Sequence, residues 1–238
     1  MIVSMSSATV QAPMIMSALA NPVSLCAQIA PMASIFVIAS PFPTVQKIIR
    51  DRTVGQMPLL PYSSMLASCF LWSVYGFLKA EPSVWGPNLF GVFASLYYSL
   101  QFAKYSPKSA PSLPGSLKGH AQVVSTIVCA TLALAFSGLK KSTEIIGYAC
   151  VVLCLALFGS PLATAAAVIR TKSAKSIALP FTIASCVNCF AWTVTGLFKM
   201  NDPNVWVTNA LGLTFALLQV ALKLVYGDAR GSADSIPL

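Results

Sequence analysis

Slid against itself by 120 residues, the chain meets its own pattern. Ser40, Pro41, Thr44, Ile49 and Arg50 fall on Ser160, Pro161, Thr164, Ile169 and Arg170. Cys69, Phe70, Trp72, Val74, Gly76 and Lys79 fall on Cys189, Phe190, Trp192, Val194, Gly196 and Lys199. After one inserted residue, Pro82, Val84, Trp85, Asn88 and Gly91 fall on Pro203, Val205, Trp206, Asn209 and Gly212. Chance likeness between apolar helices aligns scattered Leu and Ala. It does not align Trp, Pro, Asn and Gly in order. The chain is a tandem duplication, and its fold must be built twice.

The composition says in what medium. Hydrophobic residues make up 56% of the 238 and charged residues 9%, against roughly 25% charged in soluble domains. That excludes a soluble globular protein. A bilayer core about 30 Å thick takes about 20 apolar residues per helix. Seven apolar runs meet this, near 24–48, 60–79, 84–104, 120–139, 144–169, 178–199 and 204–226. Each repeat holds three, and the run at 120–139 has no counterpart. An odd linker helix returns the chain to its starting side, so the repeats share one orientation. The expected fold class is all-α integral membrane: seven transmembrane helices, as two parallel three-helix bundles joined by a linker helix. The expected divisions are an extension at 1–22, a repeat at 23–106, loop and linker helix at 107–142, a repeat at 143–227 and a tail at 228–238. Repeats of this kind mark transporters, with the substrate site between them near the midplane.

The net charge of +9 is a topology signal. The breaks after the first, third and fifth runs carry Lys47, Arg50, Arg52, Lys104, Lys108, Lys118, Arg170, Lys172 and Lys175, and the tail adds Lys223 and Arg230. The other side has Lys79, Lys140, Lys141 and Lys199. Cytoplasmic loops collect Lys and Arg, so the N-terminus is expected outside or in a lumen and the C-terminus in the cytosol. Nucleic acid is not an expected partner. Residues 1–22 lack the basic start of a secretory signal and read as a short lead into the first helix. Cys186 and Cys189 spell C-x-x-C, but no second pair or His flanks them. They read, like the other five cysteines, as small apolar residues. No H-E-x-x-H or G-x-S-x-G is present, and one His cannot build a multi-ligand metal site. No enzyme and no cofactor is expected.

Ordered and duplicated, "SPFPT" and "SPLAT", "RTKS", "LPY" and "ALPF", "LWSVYG" before "PNLFG", and "AWTVTG" before "DPNVWVTNALG" resemble the SWEET sugar transporters, the MtN-saliva family within the PQ-loop superfamily. The resemblance covers about residues 28–226. It implies facilitated, uncoupled passage of mono- or disaccharides. It implies that Asn88 and Asn209 contact sugar, that Trp192 stacks on it, and that Trp72 faces it from the first repeat. Pro41, Pro61, Pro161 and Pro180 match the prolines that let helix halves bend around a cytosolic gate. Tyr75 and Asp202 match a hydrogen-bonding pair at the outer gate. In departure, "RTKSAKSIALPF" has animal-type spacing, Thr195 stands where a tyrosine is common, and the tail is short.

The residue chemistry agrees. Asn offers both a donor and an acceptor, which suits sugar hydroxyls, and a Trp face suits the C–H side of a ring. Asn within an apolar helix is costly unless partnered. Either Asn alone would read as an interhelical hydrogen bond; recurrence in both halves, near Gly91 and Gly212, favours a pocket. Asn188 has Ser68 at its matching place and reads as packing. Two opposed tryptophans would narrow the pocket, which favours monosaccharides such as glucose. The carboxylates all lie at breaks, helix ends or in the tail, and His120 lies beside a loop, so no buried proton relay is expected and the transport would be bidirectional uniport. Pro41 recurs and Pro43 does not, which assigns the hinge to Pro41. The expected partners are the sugar and the lipid bilayer, with the homo-oligomeric state open. The plasma membrane is the expected site, with an internal membrane as the alternative. The rival functions are a PQ-loop carrier of a neutral amino acid, which lacks its Pro-Gln here, and a cargo receptor of the same fold.

Overall fold

A computed structural model describes residues 21–55, 57–107 and 116–228. The expected extension before residue 21, Lys108, and the tail beyond residue 228 with Arg230 lie outside these. The described residues form α1 (Pro22–Ala39), α2 (Phe42–Asp51), α3 (Leu60–Leu78), α4 (Pro82–Tyr105), α5 (Leu117–Ala135), α6 (Ser142–Leu157), α7 (Gly159–Thr171), α8 (Leu179–Val194), a π-helical turn (Thr195–Met200) and α9 (Pro203–Tyr226). With α1–α2, α6–α7 and α8 with its π turn each read as one broken rod, these are seven spans. Five are long and apolar enough to cross a membrane by length and composition. The other two, α3 and α4, carry more Ser, Tyr and Gly. Phe36, Phe77, Phe93, Phe136 and Phe198 are all more than 60% exposed, a surface that water would not tolerate and hydrocarbon does.

The ends of the linker helix differ from expectation. It starts earlier because the Ser116 side chain accepts the Gly119 N–H at 3.0 Å, an N-cap. It ends earlier, at Ala135 with Phe136 as its cap, and Gly138 at φ +70° turns the chain two residues further on, in a left-handed conformation natural to Gly.

In each repeat the third span lies between the first two. Helix α4 packs on α1, α2 and α3, and α9 packs on α6, α7 and α8. Across the repeats, α1 packs on α8 and α3 on α6. These are one contact made twice, first span against the opposite second span, as a two-fold relation demands. The linker α5 lies on α3 and α6.

The buried side chains show which end is shut. One cluster joins the bundles through Ala30, Leu71, Tyr75, Val84, Ile146, Ala191, Trp192 and Val205. Two others stay within one bundle each, at the basic end: Val45, Ile48, Val54, Tyr62, Tyr98 and Phe102 in the first, and Ala165, Val168, Ala174, Ile177 and Leu222 in the second. The bundles are fused away from the basic loops and separate toward them.

The breaks in the first and fifth spans have a proline cause. A proline lacks an N–H and crowds the carbonyl four residues before it. Pro161 thus disables the carbonyl of Leu157, the last residue of α6. In the first span the last residue of α1 is Ala39, four before Pro43. Pro41 disables Val37 instead, whose carbonyl accepts from the Ser40 hydroxyl at 2.7 Å and the Ser40 N–H at 3.2 Å. Pro43, expected only to reinforce the bend at Pro41, is the proline that stands in Pro161's relation to the break. Pro61 and Pro180 occupy the first turns of α3 and α8, where a missing N–H breaks no helical bond.

The inserted residue of the second repeat also has a place. Gly76 to Pro82 becomes Gly196 to Pro203, and the extra residue is absorbed as the π turn. Both connections close alike. The Glu81 N–H donates to the Gly76 carbonyl at 2.8 Å, and the Asp202 N–H to the Gly196 carbonyl at 2.9 Å. Ala80 and Asn201 take the matching left-handed residue, at φ 54° and 48°.

Candidate functional site

Between the bundles, on the two-fold relation, lies a cavity of about 190 Å³. Its lining includes Trp72, Asn88, Trp192 and Asn209, all four residues expected to meet substrate. It also includes Ser34, Val37, Ile38, Cys69, Val84, Asn188 and Val205. Val37 and Ile38 lie just before the α1–α2 break, so the cavity adjoins the separated, basic end.

Asn88 and Asn209 are placed identically. Each amide donates to the carbonyl four residues back on its own helix, Val84 or Val205, at 2.8 Å. Among the described residues this is the one hydrogen bond each makes, so it is not the interhelical bond that a lone asparagine suggests. Each keeps its carbonyl and a second N–H for the cavity. Close approach of α4 to α3 beneath Asn88 depends on Gly91: a Cβ there would lie 2.5 Å from the Cys69 sulfur, and one on Gly212 3.0 Å from that of Cys189. The cysteines fill space over glycines, and all seven are free.

Trp192 is 5% exposed. Its indole N–H donates to the Ser34 hydroxyl at 2.7 Å, and Ser34 donates to the Asn188 Oδ1 at 2.9 Å. This chain crosses from α8 to α1. Asn188 therefore lines the cavity and holds a cross-bundle bond, against the expectation that it merely packs. In the mirror position Cys154 contacts Trp72 and Ser68. Ser34 and Asn188 escaped sequence reading because their repeat mates are Cys154 and Ser68. A comparison by identity discards such pairs, although all are small polar or polarisable groups at matching places.

Away from the basic loops the structure brings Tyr75 and Asp202 together. The Tyr75 hydroxyl, on α3, donates to the Asp202 Oδ2 at 2.7 Å. Asp202 is 2% exposed and lies 3.7 Å from the Lys79 ammonium. Its other oxygen caps α9 by accepting the Asn204 N–H at 3.0 Å. The Asn204 amide in turn donates to the Tyr75 hydroxyl at 3.1 Å, a partner that sequence reading missed. Gly147 of α6 makes the room, since a Cβ there would collide with the Asn204 Nδ2. His120 lies in the first turn of α5 and pairs with Ser63 at 2.9 Å, remote from the cavity.

The family described as "Sugar efflux transporter for intercellular exchange" matches residues 24–110 and again 144–230. The chain belongs to this family. The two matches begin 120 residues apart, the register of the internal duplication. The family is one of transporters, which sets the enzyme class aside. Among relatives, the bidirectional sugar transporter SWEET15 of rice, Oryza sativa subsp. indica, is 29% identical over 84% of this chain and 62% of its own length. SWEET7b of Oryza sativa subsp. japonica is 29% identical over 79% of the chain and 71% of its own length. SWEET10 of Arabidopsis thaliana is 28% identical over 81% of the chain and 67% of its own length. The chain thus spans a little under two thirds of the SWEET15 relative. A solved eukaryotic SWEET transporter superposes with a TM-score of 0.76 at 21% identity, over 88% of this chain and all of the other, a likeness of fold.

Proposed function

We propose that this protein is a bidirectional facilitative carrier of sugars, a uniporter that works by alternating access. The observation that carries this is the cavity between the repeats, with one asparagine and one tryptophan from each half. Two amides facing each other suit a neutral polyhydroxyl solute, and two indoles suit its C–H faces. A volume of about 190 Å³ fits one pyranose ring better than two, which favours monosaccharides such as glucose. Trp192 and Asn209 bind from the second repeat, Trp72 and Asn88 from the first. The Tyr75–Asp202 pair forms the outer gate, and Pro41 with Pro43 and Pro161 form the hinges of the inner one. The basic end faces the cytosol and the Tyr75–Asp202 end the outside, so this conformation is open inward. The plasma membrane is the proposed site. Among the described residues no carboxylate lines the cavity; Asp202 is engaged at the gate, which supports uncoupled transport.

The test is uptake of radiolabelled solutes by proteoliposomes, on a panel of hexoses, sucrose and neutral amino acids. The proposal expects hexose entry down its gradient, with sucrose slower and amino acids excluded. Amino-acid flux without sugar flux would make it a carrier of another class. Tight binding with no flux would make it a receptor.

A further inference from the structure

We propose that Asn204 is the second jaw of the outer latch and sets how often the cavity opens away from the basic loops. The inference rests on the carrier reading above. A phenol has one proton to donate and lone pairs to accept. Here Tyr75 gives its proton to Asp202 at 2.7 Å and accepts from the Asn204 amide at 3.1 Å. Tyr75 belongs to the first bundle, and Asp202 and Asn204 to the second. Asn204 adds a second bond across the divide and polarises the first, since hydrogen bonds in a chain strengthen one another. It also fixes the direction of the Tyr75 proton, toward the carboxylate.

The duplication shows that this latch is single. Where the first repeat has Tyr75, the second has Thr195, 1% exposed and without a hydrogen-bond partner for its hydroxyl. Where the second repeat has Asn204, the first has Ser83. The mirror of the latch is therefore not made, and the hydrogen-bonded closure of this end rests on the Tyr75 hydroxyl, beside the Lys79–Asp202 ion pair at 3.7 Å. Outward opening must release Tyr75 from Asp202 and Asn204 together. Asn204 is a positioning residue that touches no substrate.

Apparent affinity from one side scales with the fraction of carrier open to that side. Weakening the latch enlarges the outward-open fraction. The experiment measures half-saturation for hexose entry from each face of oriented vesicles, with Asn204→Leu, Asn204→Ala and Tyr75→Phe. Leu fills the same space without the donor. Losing one hydrogen bond should lower half-saturation on the latch side by about three- to tenfold, with no fall on the basic side. In a Tyr75→Phe background, Asn204→Leu should add nothing. The proposal is overturned if both sides change together, if Asn204→Leu behaves as wild type while Asn204→Ala does not, or if the two variants act additively. A variant that fails to fold moves maximal flux on both faces alike, which the sided ratio separates. Absence of hexose flux in the wild type would instead fail the carrier reading.

Discussion

At the scale of single residues, the cavity is a matter of who holds whom. Trp192 is fixed by a hydroxyl on the other bundle, so its ring is held in the cavity wall ahead of the substrate proposed to stack on it. Ser34→Ala should remove that support and raise hexose half-saturation about fivefold, the scale of a net hydrogen bond of about 1 kcal/mol; sided uptake kinetics check it. Asn88→Ala or Asn209→Ala removes the amide proposed to bond the sugar itself and should cost at least as much, read in the same assay. The small residues behind the site matter differently. Gly91→Ala pushes a methyl toward the Cys69 sulfur, a contact of 2.5 Å, and should destabilise the protein by about 1–3 kcal/mol. Adding Cys69→Ala should recover most of that loss, measured as melting temperature in detergent. Sequence reading found Asn88, Asn209, Trp72 and Trp192 because they recur as identical residues in both halves. It missed Ser34 and Asn188 because a hydrogen bond between bundles needs no identity between its repeat mates.

At the scale of elements, the first and fifth spans are each two helices meeting at a break, and the break lies four residues before a proline. That spacing separates Pro43 and Pro161, each aligned with the end of a helix, from Pro61 and Pro180, which lie in first turns. Pro161→Ala should slow flux about tenfold, the equivalent of about 1.4 kcal/mol in a barrier, with little change in sugar binding. Pro41→Ala and Pro43→Ala should each be mild, because the remaining proline still interrupts the helix, and the double variant should match Pro161→Ala. Flux alongside equilibrium binding of labelled hexose distinguishes these cases. Span number and order were readable from hydropathy. The rank of the prolines was not, because a proline acts on a carbonyl one turn away and only the observed end of α1 shows which carbonyl that is. The π turn is a similar case: one extra residue was visible in the alignment of the halves, but not that a helix would absorb it without a loop.

At the scale of the whole molecule, duplication does most of the organising. Two copies of one bundle leave a cavity between them to which each contributes the same Trp, Asn and Val positions, Trp72, Asn88 and Val84 from one and Trp192, Asn209 and Val205 from the other. The copies are fused at the Tyr75–Asp202 end by a shared apolar cluster and separate at the basic end, where each bundle keeps its own. Under the proposed function, this state and an outward-open counterpart would make a carrier that needs no coupling ion. Hexose should therefore equilibrate across the membrane, and an imposed proton gradient should not drive it above the equal-concentration point. The architecture was legible in the sequence because it follows from periodicity and repetition. Which end is shut was not, because that depends on side chains from opposite repeats meeting in space. The most direct test is counterflow. Vesicles holding purified protein are loaded with unlabelled glucose, diluted into a trace of labelled glucose, and followed in time. The account predicts transient accumulation of label above its outside concentration, lost in the Asn88→Ala/Asn209→Ala double variant. Folded wild-type protein that shows no counterflow, or a double variant that matches it, would contradict the account.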